Sequence, residues 1–338
     1  MKPQSLCFLL LSFFLSAAGP LLGEAVTGEE KESETKKEFA LTRDQELAVQ
    51  RLIYELKNEY EARQKAADKL AAFGKPVVPY ILPELKTNDA IIHMGVAEVV
   101  RKVGTPAQVD ALLTILVRDE KGRKQTKTDV RLMVADILLE RGTDAAKKAV
   151  LGTLDDPDLY FRKELIKILG KHRMKEALPR ITAIAKDSET DIKTLLSICR
   201  SLSRYQTPEA ARLLAGFLDH EDVYIRRLTL KLLASCKFGG KHAKSIAKRL
   251  GSKENKEVED ACRACGTLKI TRGLPALVHI AKNSKRPYFV RWEALDAIQK
   301  IGNRDIISEL RDIEGSEALE KKAALVIRKL REWKTSGR

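Results

Sequence analysis

Aromatic residues make up only 5% of this 338-residue chain, and histidine occurs only five times, at positions far apart in sequence. Because large rings fill thick cores, their scarcity favours thin layers built from alanine and leucine. A single histidine, His220, has a glutamate, Glu221, beside it. Such isolated histidines do not form the clusters that catalytic and metal centres need. We therefore predict no catalytic residue, no metal and no cofactor.

One pattern recurs along most of the chain. A marker position early in a predicted helix has an apolar residue directly before it and others three, four and seven positions after it. These offsets define one face of a helix, and a second apolar helix follows each copy. The spacing of the copies, between 29 and 38 residues, indicates stacked helix pairs. The nine markers are Arg63, His93, Arg131, Arg162, Lys193, Arg226, Glu259, Arg291 and Glu320.

The ends of the first helices are also marked, because glycine often stands eleven residues after the marker. We expect these glycines to adopt the left-handed conformation that ends a helix. They are Gly74, Gly104, Gly142 and Gly302.

Two copies depart from the pattern. The fifth copy has Ser197 and Arg200 at apolar positions, and the seventh has Arg263 and Gly266. We expect the helix phase to slip there by a residue.

The segments Tyr60–Lys86 and Tyr288–Gly302 follow the rhythm Arg-x-x-Ala-x-x-x-Leu-x-x-x-Gly. In this the chain resembles the HEAT repeat, in the short form of the phycobilisome-lyase-like group, over roughly residues 42–335. The resemblance implies an all-α fold, an α-solenoid superhelix of about eight HEAT-like helix pairs with terminal capping helices. It implies no particular activity. Deoxyhypusine hydroxylase, a HEAT-type enzyme, holds two irons with several His-Glu pairs, whereas this chain has one such pair.

The N-terminus has the order of residues typical of a secretory signal peptide. Lys2 precedes an apolar run from Leu6 to Leu15, and small residues follow. The run is too short to span a bilayer, although an uncleaved anchor is the alternative. The next stretch is polar and acid-rich, with little to bury. The predicted organisation is a signal peptide at 1–25, an acidic disordered tether at 26–41 and the repeat solenoid at 42–335.

Four cysteines follow the predicted signal peptide. Cys262 and Cys265 form a C-x-x-C motif within a predicted helix, which argues against a thioredoxin-like role, since that motif follows a strand. Two thiols are too few for a structural zinc site unless Cys236 or a histidine joins them. We interpret these three cysteines and Cys199 as small buried residues, and a disulfide between adjacent repeats remains open.

Positive charge is concentrated in the middle of the chain. Residues 59–158 hold 16 basic and 16 acidic residues, whereas residues 159–253 hold 21 basic and 9 acidic, a net charge of +12. Such an excess attracts anionic partners, and a merely solvated face is the alternative. The predicted contact residues on the second helices are Lys186, Arg212, Lys241, Lys244 and Lys248. The last three have helical spacing, which places them along one stripe of one predicted helix.

Tyr160, Tyr224 and Tyr288 recur at intervals of 64 residues, each at the start of a first helix. A row of tyrosines beside cations would suit stacking on sugars or on an extended peptide, and rings covering the turns between repeats are the alternative.

For the marker residues we favour a role within the fold. Pairs such as Asp222 and Arg226 would cap one helix and bridge to the next repeat.

The sequence predicts a non-catalytic binding or scaffold module. We expect an exported, periplasmic or extracellular monomer without an integral membrane span, which holds a protein or an anionic polymer on a basic concave surface around residues 159–253. Nucleic acid is disfavoured because HEAT-type DNA glycosylases work in the cytoplasm, and the same compartment argument counts against bilin lyases. The alternative is an accessory or lyase-like subunit of an enzyme complex.

Overall fold

The computed structural model of the protein describes residues 41–117 and 126–332. The predicted signal peptide and the predicted tether, apart from Leu41, lie outside the described residues. Leu41 is partly buried against the hydrophobic core. Regular structure in the described ranges consists of helices, without strands. No helix in these ranges is both long and apolar enough to cross a membrane.

Helices alternate along the chain as first and second members of stacked pairs. An N-terminal helix, α1 (Arg43–Glu55), covers the first pair, and α18 (Glu317–Glu332) covers the last. In repeats 1 to 4 the helices are α2 (Tyr60–Ala72) with α3 (Val78–Ile81), α4 (Ala90–Val103) with α5 (Pro106–Val109) and α6 (Leu113–Leu116), α7 (Thr128–Arg141) with α8 (Asp144–Gly152), and α9 (Leu159–Lys171) with α10 (Leu178–Lys186). In repeats 5 to 8 they are α11 (Ile192–Tyr205) with α12 (Pro208–Gly216), α13 (Val223–Ala234) with α14 (Ala243–Lys248), α15 (Asn255–Thr267) with α16 (Leu274–Lys282), and α17 (Tyr288–Ile301) with a 3₁₀ turn (Ser308–Leu310). The predicted all-α solenoid of about eight pairs is confirmed.

Side-chain caps begin many of the first helices. Asp158, Asp191 and Asp222 each accept a hydrogen bond from a backbone N–H in the first turn of the following helix. This satisfies donors that a helix leaves unpaired at its start. The predicted capping role of these aspartates is confirmed. Asp129 differs, because it lies inside the first turn of α7, whose N-cap residue is Lys127.

The turn glycines fall into two groups. Gly74 and Gly302 have φ of 71° and 78°, in the left-handed region as predicted. The prediction is wrong for Gly104 and Gly142, whose φ values are −66° and −72°. Glycine is needed there because a Cβ would lie only 2.6 Å from the carbonyl oxygen at the end of its own helix.

In repeats 3 and 8 the fourth residue of the first helix is an arginine that bonds to the turns on both sides of its repeat, and we call these arginines the rungs of a ladder. In repeat 3 it is Arg131, which donates from Nε to the carbonyl of Leu116 (2.8 Å) and from Nη2 to Asp156 (2.5 Å). Arg291 likewise donates to the carbonyls of Ala281 (2.8 Å) and Glu314 (2.5 Å). Each guanidinium therefore joins two successive inter-repeat turns. The predicted bridging role of the markers is confirmed at these positions.

The ladder is interrupted in repeats 5 and 7, where the helix phase slips. The fourth residue is Leu195 in α11 and Val258 in α15, so the slip is two residues from Lys193 and one from Glu259. Leu195 is buried and Lys193 is exposed. The predicted slip is confirmed, although it is larger in repeat 5 than expected.

Candidate functional site

The slip in repeat 5 places small polar residues between two first helices. Ser201 is buried and donates from Oγ to the carbonyl of Ile166 in α9 (2.8 Å). A Cβ on Gly170 would lie 2.3 Å from Ser201 Oγ and 2.8 Å from its Cα. Helices α9 and α11 are therefore in close and extensive contact.

The second helices of the same two repeats, α10 and α12, do not pack as closely as α9 and α11. Contacts between α10 and α12 are sparse, so the two repeats meet as a wedge that is closed at the first helices and open at the second. The opening is a groove of about 430 Å³, which we name the groove junction. It is lined by Ile181, Thr182, Ala185 and Lys186 from α10, by Ile198 and Leu202 from α11, by Arg212, Leu213 and Gly216 from α12, and by Phe217, Asp219 and His220 beyond it.

Two of the predicted contact residues stand on opposite walls of this groove. Lys186 ends α10 and Arg212 lies within α12, and both are exposed. Within residues 41–117 and 126–332, neither side chain forms an ion pair or a hydrogen bond. Their charges are therefore available to an incoming ligand.

The acidic residue of the groove is already paired. Asp219 accepts a hydrogen bond from Lys248 Nζ (2.8 Å) and lies 3.4 Å from Arg249 Nη1. The hydrogen bond from Lys248 is the main cause that holds the pKa of the Asp219 carboxyl below its ordinary value. Since Asp219 remains ionised and paired, it leaves the field of Lys186 and Arg212 largely uncompensated.

His220 is oriented by the backbone that follows it. Its Nδ1 accepts a hydrogen bond from the backbone N–H of Asp222 (3.0 Å), so a neutral ring carries its proton on Nε2. The adjacent Glu221 takes part through its carbonyl oxygen, which accepts from Arg226 (2.6 Å). The His-Glu pair noted in the sequence thus serves local structure. The described part of the chain holds no group of three His, Cys, Asp or Glu side chains arranged for a metal ion.

The predicted lysine stripe is only partly assembled. Lys244 and Lys248 belong to α14, but Lys241 lies in the preceding 3₁₀ turn (Gly239–His242), so the prediction of three lysines on one helix is wrong for Lys241. Lys241 Nζ is 5.4 Å from the ring centre of Phe238. With Lys248 bound to Asp219, Lys244 is the stripe residue left for a partner among those that the structure describes.

The predicted tyrosines form an exposed row that is separate from the groove. Tyr160, Tyr224 and Tyr288 expose 50%, 67% and 47% of their surface, which argues against rings packed down over the turns. None of the three lines the groove. Other apolar residues, which were not predicted as contact residues, are also exposed at the starts of first helices: Tyr60, Ile91, Leu159, Ile192 and Phe289.

The apolar floor of the groove was also missed. It consists of Ile181, Ile198, Leu202, Leu213 and Phe217. Each of these residues fits an ordinary helical core pattern, so no single position signals a groove. The available signal was the irregular fifth copy, where Ser197 and Ser201 replace bulkier core residues.

The cysteines lie in the core. Cys199, Cys236, Cys262 and Cys265 are buried, and their thiols are free in the described chain. Burial raises the pKa of the thiols of Cys199 and Cys265 to about 12 each. Protonated thiols of this kind are poor nucleophiles. The interpretation of the cysteines as small buried residues is confirmed.

Comparison with known proteins identifies the repeat. A sequence model of HEAT repeats matches residues 120–197 and 152–234, a region that includes the groove junction. No curated protein sequence matches the chain significantly.

Several solved structures are similar to the chain at low sequence identity. An archaeal HEAT-like repeats protein from Thermococcus onnurineus NA1 is 16% identical, with 60% of this chain and 93% of that chain covered and a TM-score of 0.40. The CpcE–CpcF complex of phycocyanin lyase from Nostoc sp. PCC7120 is 16% identical, with 75% and 94% covered and a TM-score of 0.37. Human deoxyhypusine hydroxylase is 13% identical, with 85% and 97% covered and a TM-score of 0.33. At these values the three structures say nothing about the chemistry of this chain.

Proposed function

Because the chain is a HEAT-repeat protein, we propose that it is a binding or scaffold module that captures an acidic segment of a partner protein at the groove junction. One observation carries the proposal: Lys186 and Arg212 line the groove from its two second helices, α10 and α12, as exposed cations without partners among the described side chains. HEAT repeats generally mediate protein interactions and are generally non-catalytic, and the proposal assigns no chemical step to the chain.

A protein segment suits the site better than a long anionic polymer. A polymer needs a continuous track of available cations, since its affinity comes from many charge contacts along the chain. Much of the positive charge predicted for that purpose is engaged within the fold. Arg226 and Arg249 bind Glu257, Arg227 and Lys231 bind Asp260, and Lys248 binds Asp219. Lys186 and Arg212 are the cations that line the groove, whereas other unpaired cations of the described chain, such as Lys244, lie outside it.

Matched charge reversal tests the proposal. The double variant Lys186→Glu/Arg212→Glu reverses the two groove cations. The control Lys148→Glu/Lys282→Glu makes the same change of net charge at corresponding places, because Lys148 is the fifth residue of α8 and Lys282 is the last residue of α16. Both control lysines are exposed and unpaired among the described side chains. All four substitutions are on the surface, where each changes stability by about 0.5 kcal/mol or less.

Binding is measured by quantitative pull-down with the tagged full chain from its native source, at low and at physiological salt. We expect the groove variant to lose its partner by about tenfold or more, the control to keep it, and higher salt to weaken the parent. Equal losses in the two variants would show that only the overall charge matters. Unchanged capture by the groove variant would refute the proposal.

We also propose that the protein is exported, because residues 1–25 have the charged, apolar and small-residue order of a secretory signal. N-terminal sequencing of the native protein is expected to start near Glu24 or Val26. An intact Met1 on protein from the cytosolic fraction would contradict export.

A further inference from the structure

We infer that the groove junction recognises a segment in which a bulky apolar side chain lies between acidic residues. The apolar side chain would fill the floor of the groove, and the flanking carboxylates would meet Lys186 and Arg212. This inference rests on the proposed function and specifies the chemistry of its partner.

The floor supplies the reason for an apolar anchor. Ile181, Ile198, Leu202, Leu213 and Phe217 reach it from three consecutive helices and the turn that follows them. A space of about 430 Å³ lined in this way is far larger than one methyl group and lies within the usual range of ligand pockets. Ile181, Ile198, Leu202 and Phe217 are buried beneath the floor, and the half-buried Leu213 and Ala185 supply apolar surface that is still open to water. A large apolar side chain seated there would remove this remaining surface, and its own, from water, which a purely acidic segment would not do.

The positions of the cations supply the reason for acids on both sides of the anchor. Lys186 belongs to α10 and Arg212 to α12, so the two charges stand on different walls. A ligand with a single carboxylate, such as a fatty acid, would pair with one cation and leave the other unmatched. A chain segment crossing the groove presents one carboxylate to each wall, which matches the charges fully.

Gly216 offers a way to fill the groove without disturbing the fold. It lies on the groove wall at the end of α12, in helical conformation, and a Cβ there would meet no atom within 4 Å. The substitution Gly216→Trp therefore puts bulk into the groove while removing a helical glycine. Gly152 is the matched control, since it ends α8 in the same conformation and its Cβ position is equally open.

The test measures fluorescence polarisation of three labelled twelve-residue peptides in a Gly-Ser background, with the full chain. Peptide A has one phenylalanine flanked by two glutamates on each side, peptide B has serine for the phenylalanine, and peptide C has glutamines for the glutamates. We expect A to bind at least tenfold more tightly than B or C. Binding of A should be lost in Gly216→Trp and kept in Gly152→Trp, while circular dichroism shows that both variants are folded.

The outcomes separate this inference from the proposed function. If B binds as well as A and both are lost in Lys186→Glu/Arg212→Glu, the anchor is wrong and acid capture stands. If C binds as tightly as A, the flanking carboxylates contribute nothing to binding. Acid capture and this inference are then both wrong. Displacement of A by octanoate at concentrations that do not affect Gly216→Trp would point to a small amphiphile as the natural occupant and overturn the inference. The absence of binding by all three peptides at about millimolar protein would contradict both proposals.

Discussion

Repeats 4 and 5 meet at the groove junction, and repeats 6 and 7 meet at a contact that we name the charged junction. The two junctions are built differently. At the charged junction Glu257 in α15 is fully buried and accepts hydrogen bonds from Arg226 (2.8 Å), Arg249 (2.7 Å) and Ser252 (2.8 Å). At the groove junction the first helices are joined by neutral bonds instead, such as Ser201 Oγ to the carbonyl of Ile166. At the charged junction the cations form ion pairs that hold the repeats together. At the groove junction Lys186 and Arg212 stay exposed on the surface.

The comparison shows why the charge of a segment is a poor measure of its binding surface. Both junctions draw on the basic segment at 159–253. The acids that neutralise part of it, Glu257 and Asp260, lie just beyond that segment in sequence and are therefore not counted in its net charge. Folding places these two carboxylates beside the arginines of the basic segment. The cations left available are those that lack an acid in the next repeat.

The largest expected effect is at the charged junction. In Glu257→Gln the partly buried guanidinium groups of Arg226 and Arg249 lose the fully buried carboxylate that pairs with them, and breaking a buried pair on one side costs about 3–5 kcal/mol. We expect a loss of about that size in the free energy of unfolding, measured by urea denaturation followed by circular dichroism. The control Glu254→Gln changes an exposed glutamate of the same turn and is expected to cost about 0.5 kcal/mol or less. Similar costs for the two variants would remove the distinction between the junctions.

The stability difference between the parent and Glu257→Gln is also expected to depend on pH. Burial alone would raise the pKa of Glu257, but hydrogen bonds from Arg226 and Ser252 and the charge of Arg249 hold it below its ordinary value. A lowered pKa in the folded state means that the carboxylate stabilises the fold above the pKa of the unfolded chain, about 4.3. That stability is lost as the pH falls through the folded value. The parent and Glu257→Gln are therefore expected to differ fully at pH 7 and to converge as the pH falls below the folded-state pKa of Glu257. A difference that is independent of pH would contradict this account.

A smaller effect is expected at the groove junction, where one substitution has opposite consequences at two glycines. In Gly170→Ala the new Cβ clashes with Ser201 between α9 and α11, and overpacking of this kind costs about 1–3 kcal/mol. In Gly216→Ala the Cβ enters open space, and a gain of about 0.5–1 kcal/mol follows from better helix propensity. Thermal unfolding of both variants measures the two shifts, which we expect to be the same at pH 7 and pH 5. A stabilising Gly170→Ala would show that the wedge is not closed at the first helices.

The sequence was sufficient to predict the fold because most repeats have the same helical pattern. Four apolar offsets, repeated in most of the nine copies, and a turn glycine in four of them leave little ambiguity about helix pairs. Capping by Asp158, Asp191 and Asp222 was equally readable, since the acid and the helix it begins are neighbours in the chain. The slip at Leu195 was foreseen from the irregular fifth copy, but not its size.

The site was readable only in part. Lys186 and Arg212 were selected from charge and helical position, and the structure places both on the groove. The groove itself depends on how closely α9 and α11 approach, which is set by Gly170 and Ser201, 31 residues apart in sequence. The engagement of Lys248 by Asp219 was missed for a similar reason, since 29 residues separate the pair. Contacts one repeat apart leave no trace in local periodicity.

The rung missing at Leu195, like the one missing at Val258, bears on the elasticity of the solenoid. Arg131 and Arg291 tie together the turns before and after their own repeats, so a displacement at one turn is transmitted to the next. Leu195 has no donor with which to do so. In a stack where each repeat is coupled only to its neighbours, bending at this junction is opposed by the close contact of α9 with α11 but not by a side-chain bond from Leu195 between the turns. A segment that engages both Lys186 and Arg212 would connect α10 with α12, and the occupied junction would resist bending more strongly than the empty one.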